Sequence, residues 1–120
     1  MGKILVVDND QDFLEFIGER FRQNAFFKEE IILASSFQEA IQVISAREID
    51  FVLTDVDLND ALGGTGFDLI SLARQHNPKV GAALMSGDDK WRKLARKSRA
   101  VAFLRKPEGI LNLFSFIEKS

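Results

Sequence analysis

The chain has 120 residues, 46% apolar and 28% charged, a balance that predicts one globular domain over 1–120 and excludes a disordered or low-complexity polypeptide. It has no cysteine, so neither a disulfide framework nor a thiolate metal site can form, and no apolar run approaches membrane-spanning length. The net charge of −2 argues against bulk nucleic-acid binding, although eight of the sixteen basic residues fall between Lys90 and Lys106.

Met1-Gly2-Lys3 leads directly into an apolar run without the layout of a signal peptide, so a cytoplasmic location is expected. That run, Ile4-Leu5-Val6-Val7, predicts a strand over 3–8 that ends on Asp8. Phe13, Leu14, Ile17 and Phe21 then recur at helical spacing, with Asp10 or Asp12 placed to cap the helix start. A second strand is expected over 30–35, followed by a helix that opens with the Ser36-x-x-Glu39 pattern of a capping box. The third strand, over 49–54, runs into Asp55. Gly63-Gly64-Thr65-Gly66 is expected to be a flexible connection, since it lacks the lysine-bearing signature of a phosphate-binding loop. Leu69, Ile70 and Ala73 mark the third helix, and the lone histidine, His76, falls near its end as a surface residue without a partner.

A fourth strand over 80–85 runs into Ser86. Asp88 and Asp89 then read as a helix start, where carboxylates satisfy free amides. The helix that follows carries Lys90, Arg92, Lys93, Arg96, Lys97 and Arg99. A fifth strand over 101–105 runs into Lys106-Pro107, and Ile110, Leu111, Leu113, Phe114 and Ile117 mark a last helix. Five alternations of strand and helix, with strands apolar throughout, call for a parallel sheet covered on both faces. The eleven phenylalanines read as core.

Parallel strands bring their carboxyl ends to one edge, where open α/β sheets bind ligands. Asp8, Asp55, Ser86 and Lys106 therefore meet in one crevice. A carboxylate such as Asp55 can take a phosphoryl group as an acyl phosphate, and such transfer requires positioning and neutralisation of charge on the equatorial oxygens. Lys106 supplies a point charge and Ser86 a hydroxyl donor. A hard cation, Mg²⁺ or Mn²⁺, needs only oxygen ligands; Asp8, Asp55 and the side-chain carbonyl of Asn9 can provide them.

The pieces Ile4-Leu5-Val6-Val7-Asp8-Asn9-Asp10, Ala34-Ser35-Ser36 with Glu39-Ala40-Ile41, Phe51-Val52-Leu53-Thr54-Asp55, Gly66-Phe67-Asp68-Leu69-Ile70, Met85-Ser86-Gly87 and Phe103-Leu104-Arg105-Lys106-Pro107 follow one another along essentially the whole chain. In this order and at these separations the chain resembles a bacterial response-regulator receiver domain of two-component signalling. The resemblance implies a flavodoxin-like (βα)5 three-layer α/β sandwich with strand order 2-1-3-4-5. It implies a signalling phosphoacceptor and not an enzyme beyond its own phosphorylation and dephosphorylation. Asp55 would accept the phosphoryl group from a sensor histidine kinase or histidine phosphotransfer protein, with Mg²⁺ held by Asp8, Asn9, Asp55 and the backbone carbonyl of Asp57. Ser86 would contact the group after transfer, Phe103 would follow as the switching aromatic, and the Lys106-Pro107 bond is often cis in such domains.

Three departures stand out. Asn9 replaces the second of two adjacent acidic residues and removes one negative charge from the metal site, so weaker Mg²⁺ binding is expected. Asn59 stands where a proline is common, and Gly66 comes about three residues late, which lengthens the loop after Asp55. Asp57 places a carboxylate beside the route of the hydrolytic water, where it would either orient water or repel the phosphoryl group.

The resemblance also implies an output face on the fourth helix, fifth strand and fifth helix. Its basic version here suits an acidic partner surface or a homodimer, against the plainer reading of a solvated helix face. Neither direct nucleic-acid nor membrane binding is expected. Two alternatives compete. A pseudo-receiver would keep the fold and bind partners without phosphorylation, as Asn9 suggests. Asp55-Val56-Asp57 with Ser86 and Lys106 also resembles haloacid-dehalogenase-type phosphatases, but there the nucleophile belongs to the first strand and further acidic ligands follow the lysine.

Overall fold

The computed structural model describes residues 2–23, 29–97 and 102–106. Five parallel strands, β1 (Lys3–Val7), β2 (Glu30–Ala34), β3 (Phe51–Asp55), β4 (Gly81–Ser86) and β5 (Ala102–Arg105), form one sheet in the order β2-β1-β3-β4-β5. Between them lie the helices α1 (Gln11–Gln23), α2 (Phe37–Ala46), α3 (Gly66–His76) and α4 (Arg92–Lys97). A single 3-10 turn, Asp89–Trp91, leads into α4. The expected last helix, Arg99 and the Lys106-Pro107 bond lie outside the described residues.

Strand side chains alternate between faces, and the two layers of core follow from that alternation. Leu5, Val7, Val52, Ala82 and Leu84 face α2 and α3, where Ala40, Ile44, Leu69, Ile70 and Ala73 close the layer. Ile4, Val6, Phe51, Leu53, Ala83 and Met85 face the other way and pack against Leu14, Ile17 and Phe21 of α1. The central strands are buried on both sides, which is why they read as unbroken apolar runs. This is the flavodoxin-like arrangement expected from the sequence.

The helix starts are set by short polar contacts. Asp10, not Asp12, caps α1: its Oδ1 accepts from the backbone N–H groups of Asp12 (3.0 Å) and Phe13 (3.3 Å). At α2, Ser36 Oγ accepts from Glu39 N (3.1 Å), but Glu39 does not return the bond to Ser36. Its carboxylate accepts instead from the backbone N (3.0 Å) and hydroxyl (2.6 Å) of Ser35, and these bonds hold the Glu39 carboxyl below its usual range. The reciprocal box is at α3, between Thr65 and Asp68.

Phenylalanine is not uniformly core. Phe21 and Phe51 are buried, whereas Phe16 on α1 is 50% exposed.

Candidate functional site

The chain order reverses direction across the sheet between β1 and β3, and such a switch point opens a crevice at the carboxyl edge. Val7 pairs with Thr54, so Asp8 and Asp55 leave adjacent strands side by side. Ser86 ends β4 and pairs with Arg105, and the Lys106 backbone N–H donates to the Ser86 carbonyl (2.9 Å). Register alone brings all four strand-end residues to one edge.

Their side chains are unequally placed. Asp8 is fully buried. Its Oδ1 accepts from Asp10 N (2.9 Å) and its Oδ2 from Lys106 Nζ (2.5 Å). Lys106 Nζ stands 3.6 Å from Asp55 Oδ2, close enough for an ion pair and too far for a hydrogen bond. Asp55 Oδ1 accepts from Val56 N (3.0 Å). Burial, and then the charge of Asp8, push the Asp55 carboxyl up to about 6; Lys106 and the Val56 amide pull the other way without balancing them. Two carboxylates thus share one ammonium.

Ser86 is buried, and its Oγ accepts from Asp88 N (3.0 Å), which leaves the hydroxyl proton for another acceptor. Asp88 Oδ1 in turn accepts from Lys90 N (2.9 Å), so this carboxylate shapes the turn into the helix as expected. Asn9 is exposed beside Asp8. Phe103 is half-buried, with the Arg92 guanidinium 4.9 Å from its ring centroid. Arg92 is therefore not part of a freely solvated basic face, unlike Lys93, Arg96 and Lys97, which are exposed.

The loop after Asp55 is a hydrogen-bonded turn and not a loose connection. Asp57 Oδ1 accepts from Asn59 N (3.0 Å), Asn59 sits at φ 49°, and Asp57 bridges Thr65 across the loop. Asp60 Oδ2 accepts from Leu62 N and Gly64 N (3.1 Å each), and Gly63 occupies φ 83°. Asp57 is exposed and turned into its own loop. The asparagine and the first glycine serve left-handed backbone, a need the residue types alone already suggest.

A surface concavity lined by Ile44, Arg47, Ile49, Ala73 and His76 lies at the opposite, amino-terminal edge of the sheet from Asp55. Exposed His76 belongs to that end. Sequence reasoning missed Phe13 as part of the site: its ring centroid is 4.5 Å from Lys106 Nζ. Its helical spacing marked only a core position.

Among the described residues, no three His, Cys, Asp or Glu side chains converge as a metal site. The converging acidic pair is Asp8 and Asp55, with an amide at Asn9. The available donors are all oxygen, which suits a hard divalent cation, and the raised Asp55 carboxyl marks a place where added positive charge is favourable.

A parallel sheet with two carboxylates, a hydroxyl and a lysine at its switch point defines a doubly wound α/β domain with an acidic carboxyl-edge crevice. The family model of the response regulator receiver domain matches residues 4–118, and the chain belongs to that family. Receiver domains of two-component response regulators are, as a family, signalling phosphoacceptors. No curated protein sequence matches it. Among solved structures, it is similar to the chemotaxis response regulator CheY4 of Vibrio cholerae, with 18% identity and a TM-score of 0.79 over 98% of each chain. A CheY-like receiver domain protein from Methanospirillum hungatei JF-1 gives 21% identity and a TM-score of 0.84 over 99% of this chain and 92% of that one. The BeF3-activated receiver domain of DrrB, from Thermotoga maritima, gives 20% and 0.81 over 99% and 96%. The dehalogenase-type alternative falls with the family assignment, since Asp55 ends the third strand.

Proposed function

We propose that the domain accepts a phosphoryl group on Asp55 from a phosphohistidine of a sensor kinase or phosphotransfer protein and converts that event into altered partner binding. The observation that supports this best is the sharing of Lys106 between Asp8 and Asp55, with Asp55 the more accessible of the two. In the transfer, the N–P bond of the donor breaks as an Asp55 oxygen forms an O–P bond. The leaving imidazole keeps the bonding pair and takes a proton from solvent. Lys106 neutralises charge on the phosphoryl oxygens, and the Ser86 hydroxyl donates to one of them. Bound Mg²⁺ or Mn²⁺ would supply charge neutralisation, with Asp8, Asp55, the Asp57 carbonyl and the Asn9 amide oxygen as its ligands. After transfer Ser86 moves toward the phosphoryl group, Phe103 follows, and the Arg92 contact on its ring carries the change to α4.

The output reading goes with a cytoplasmic location and with an acidic partner or a second copy on the basic face of α4. No helix among the described residues is long and apolar enough to cross a membrane.

The test is intact-protein mass spectrometry after incubation with acetyl phosphate and Mg²⁺, with Asp55→Asn as control. One phosphoryl group gained by the native protein and not by the variant supports the proposal. No gain, with fold intact and metal in excess, overturns it. The domain would then be a phosphorylation-independent binding module, the reading that Asn9 favours.

A further inference from the structure

We infer that Phe13 is a positioning residue for Lys106, its ring holding the ammonium in place between α1 and the two carboxylates. The inference rests on the proposed role of Lys106 in phosphoryl transfer. Lys106 leaves the end of β5 on a flexible four-carbon stem, anchored at its backbone by the bond to Ser86. Asp8 draws its ammonium from one side at 2.5 Å. Phe13 meets it at 4.5 Å from the ring centroid, inside the range at which an aromatic quadrupole attracts a cation.

The ring is itself fixed by the same carboxylate. Asp8 Oδ1 accepts from Asp10 N, and Asp10 caps the turn of α1 that carries Phe13. Asp8 therefore sets both the ammonium and the helix that places the ring against it. Phe13 also packs on the α1-side core and meets Phe16 with centroids 6.5 Å apart and ring planes tilted by 40°. An aromatic suits this position because it attracts the ammonium without adding a third negative charge beside an incoming phosphoryl dianion. Nor does it offer a strong acceptor that would compete with that group for the lysine. Lys106 can then turn from Asp8 toward a phosphoryl oxygen while its contact with the ring persists.

The experiment compares Phe13→Leu, which keeps apolar bulk but no quadrupole, with Phe13→Tyr, which keeps the ring. Proton NMR of the metal-free protein should show the Lys106 ε-methylene shifted upfield by the ring current, retained in Phe13→Tyr and lost in Phe13→Leu. The initial rate of phosphorylation by acetyl phosphate should fall about fivefold in Phe13→Leu, as expected for loss of a cation–π contact of ~1 kcal/mol, and stay near native in Phe13→Tyr. An unshifted Lys106 methylene in the native protein, or equal rates in the two variants, would overturn the inference. Absence of phosphorylation in the native protein would overturn the proposed function instead, and the ring-current comparison would still decide the placement of Lys106.

Discussion

Lys106 gives its ammonium to Asp8 at 2.5 Å and stands back from Asp55 at 3.6 Å. The two carboxylates therefore depend on it differently. The Asp8 side chain is 1% exposed, while those of Lys106 and Asp55 are 19% and 14% exposed and keep some contact with water. Lys106→Met leaves Asp8 buried without a counter-charge and should cost about 3–5 kcal/mol in metal-free buffer. Asp8→Asn leaves a lysine that can still turn to Asp55 or solvent and should cost about 1–2 kcal/mol. Urea unfolding of both variants in chelator checks the order. Equal costs would mean that Asp8 does not rely on the pair.

The raised Asp55 carboxyl makes the metal-free domain less stable as the solution becomes less acid. Its pKa is about 6 in the fold against an ordinary 3.8, so the folded state binds more protons than the unfolded state between those values. The proton-linked stability is complete below the lower value and is lost as pH rises through about 6. Asp55→Asn removes the charge and should stabilise the metal-free protein at pH 7 by at most ~3 kcal/mol, with the difference vanishing near pH 4. Thermal melts at the two pH values read this directly. A variant no more stable than native at pH 7 would show that Asp55 carries no such penalty.

Gly66 is required by the backbone of Asp55. A Cβ there would stand 2.3 Å from the Asp55 carbonyl oxygen and 3.0 Å from Thr54 Cγ2, while Gly66 N–H donates to Val56 O (2.9 Å). The neighbour is backbone and cannot turn aside. Gly66→Ala should therefore cost about 2–3 kcal/mol and slow phosphorylation by shifting the end of β3. Gly87→Ala is the matched control, since nothing lies within 4 Å of its Cβ, and it should stay within about 0.5 kcal/mol of native. Denaturant midpoints and acetyl phosphate labelling separate the two.

What could be read from the sequence was what local pattern encodes. Strands β1 to β5 fall within about two residues of their predicted spans because apolar runs ending on polar residues mark both the buried length and the sheet edge. The meeting of Asp8, Asp55, Ser86 and Lys106 followed from parallel strands alone. Which carboxylate takes the lysine did not, since Asp8 and Lys106 are 98 residues apart and only packing decides between two acids at one edge. The Thr65–Asp68 box escaped notice because aspartate replaces the usual glutamate, and the Ser36 box was over-read because Ser35 offers Glu39 a second, closer set of donors. The glycine-rich loop read as flexible because composition records the need for left-handed backbone but not the Asp60 bonds that satisfy it. Phe13 was hidden for a related reason. A half-buried aromatic on an amphipathic helix looks like core until a cation is found against its face.

Asn9 is the site's sharpest departure and the simplest to reverse. It is exposed next to buried Asp8, so an added carboxylate there remains hydrated and adds little strain to the fold. It would bring a third acidic oxygen donor to a place where Asp8 and Asp55 now share the Lys106 charge. Asn9→Asp should tighten Mg²⁺ binding on the order of tenfold, about 1.4 kcal/mol, a size typical of one more charge acting through a partly hydrated site. In the absence of metal the same variant should be slightly less stable than native, because three carboxylates then repel one another around one lysine. Calorimetric titration with Mg²⁺ and melting in chelator measure the two effects separately. A variant that gains metal affinity without losing metal-free stability would place residue 9 outside the field of Asp55, and one that gains no metal affinity would rule residue 9 out as a metal ligand.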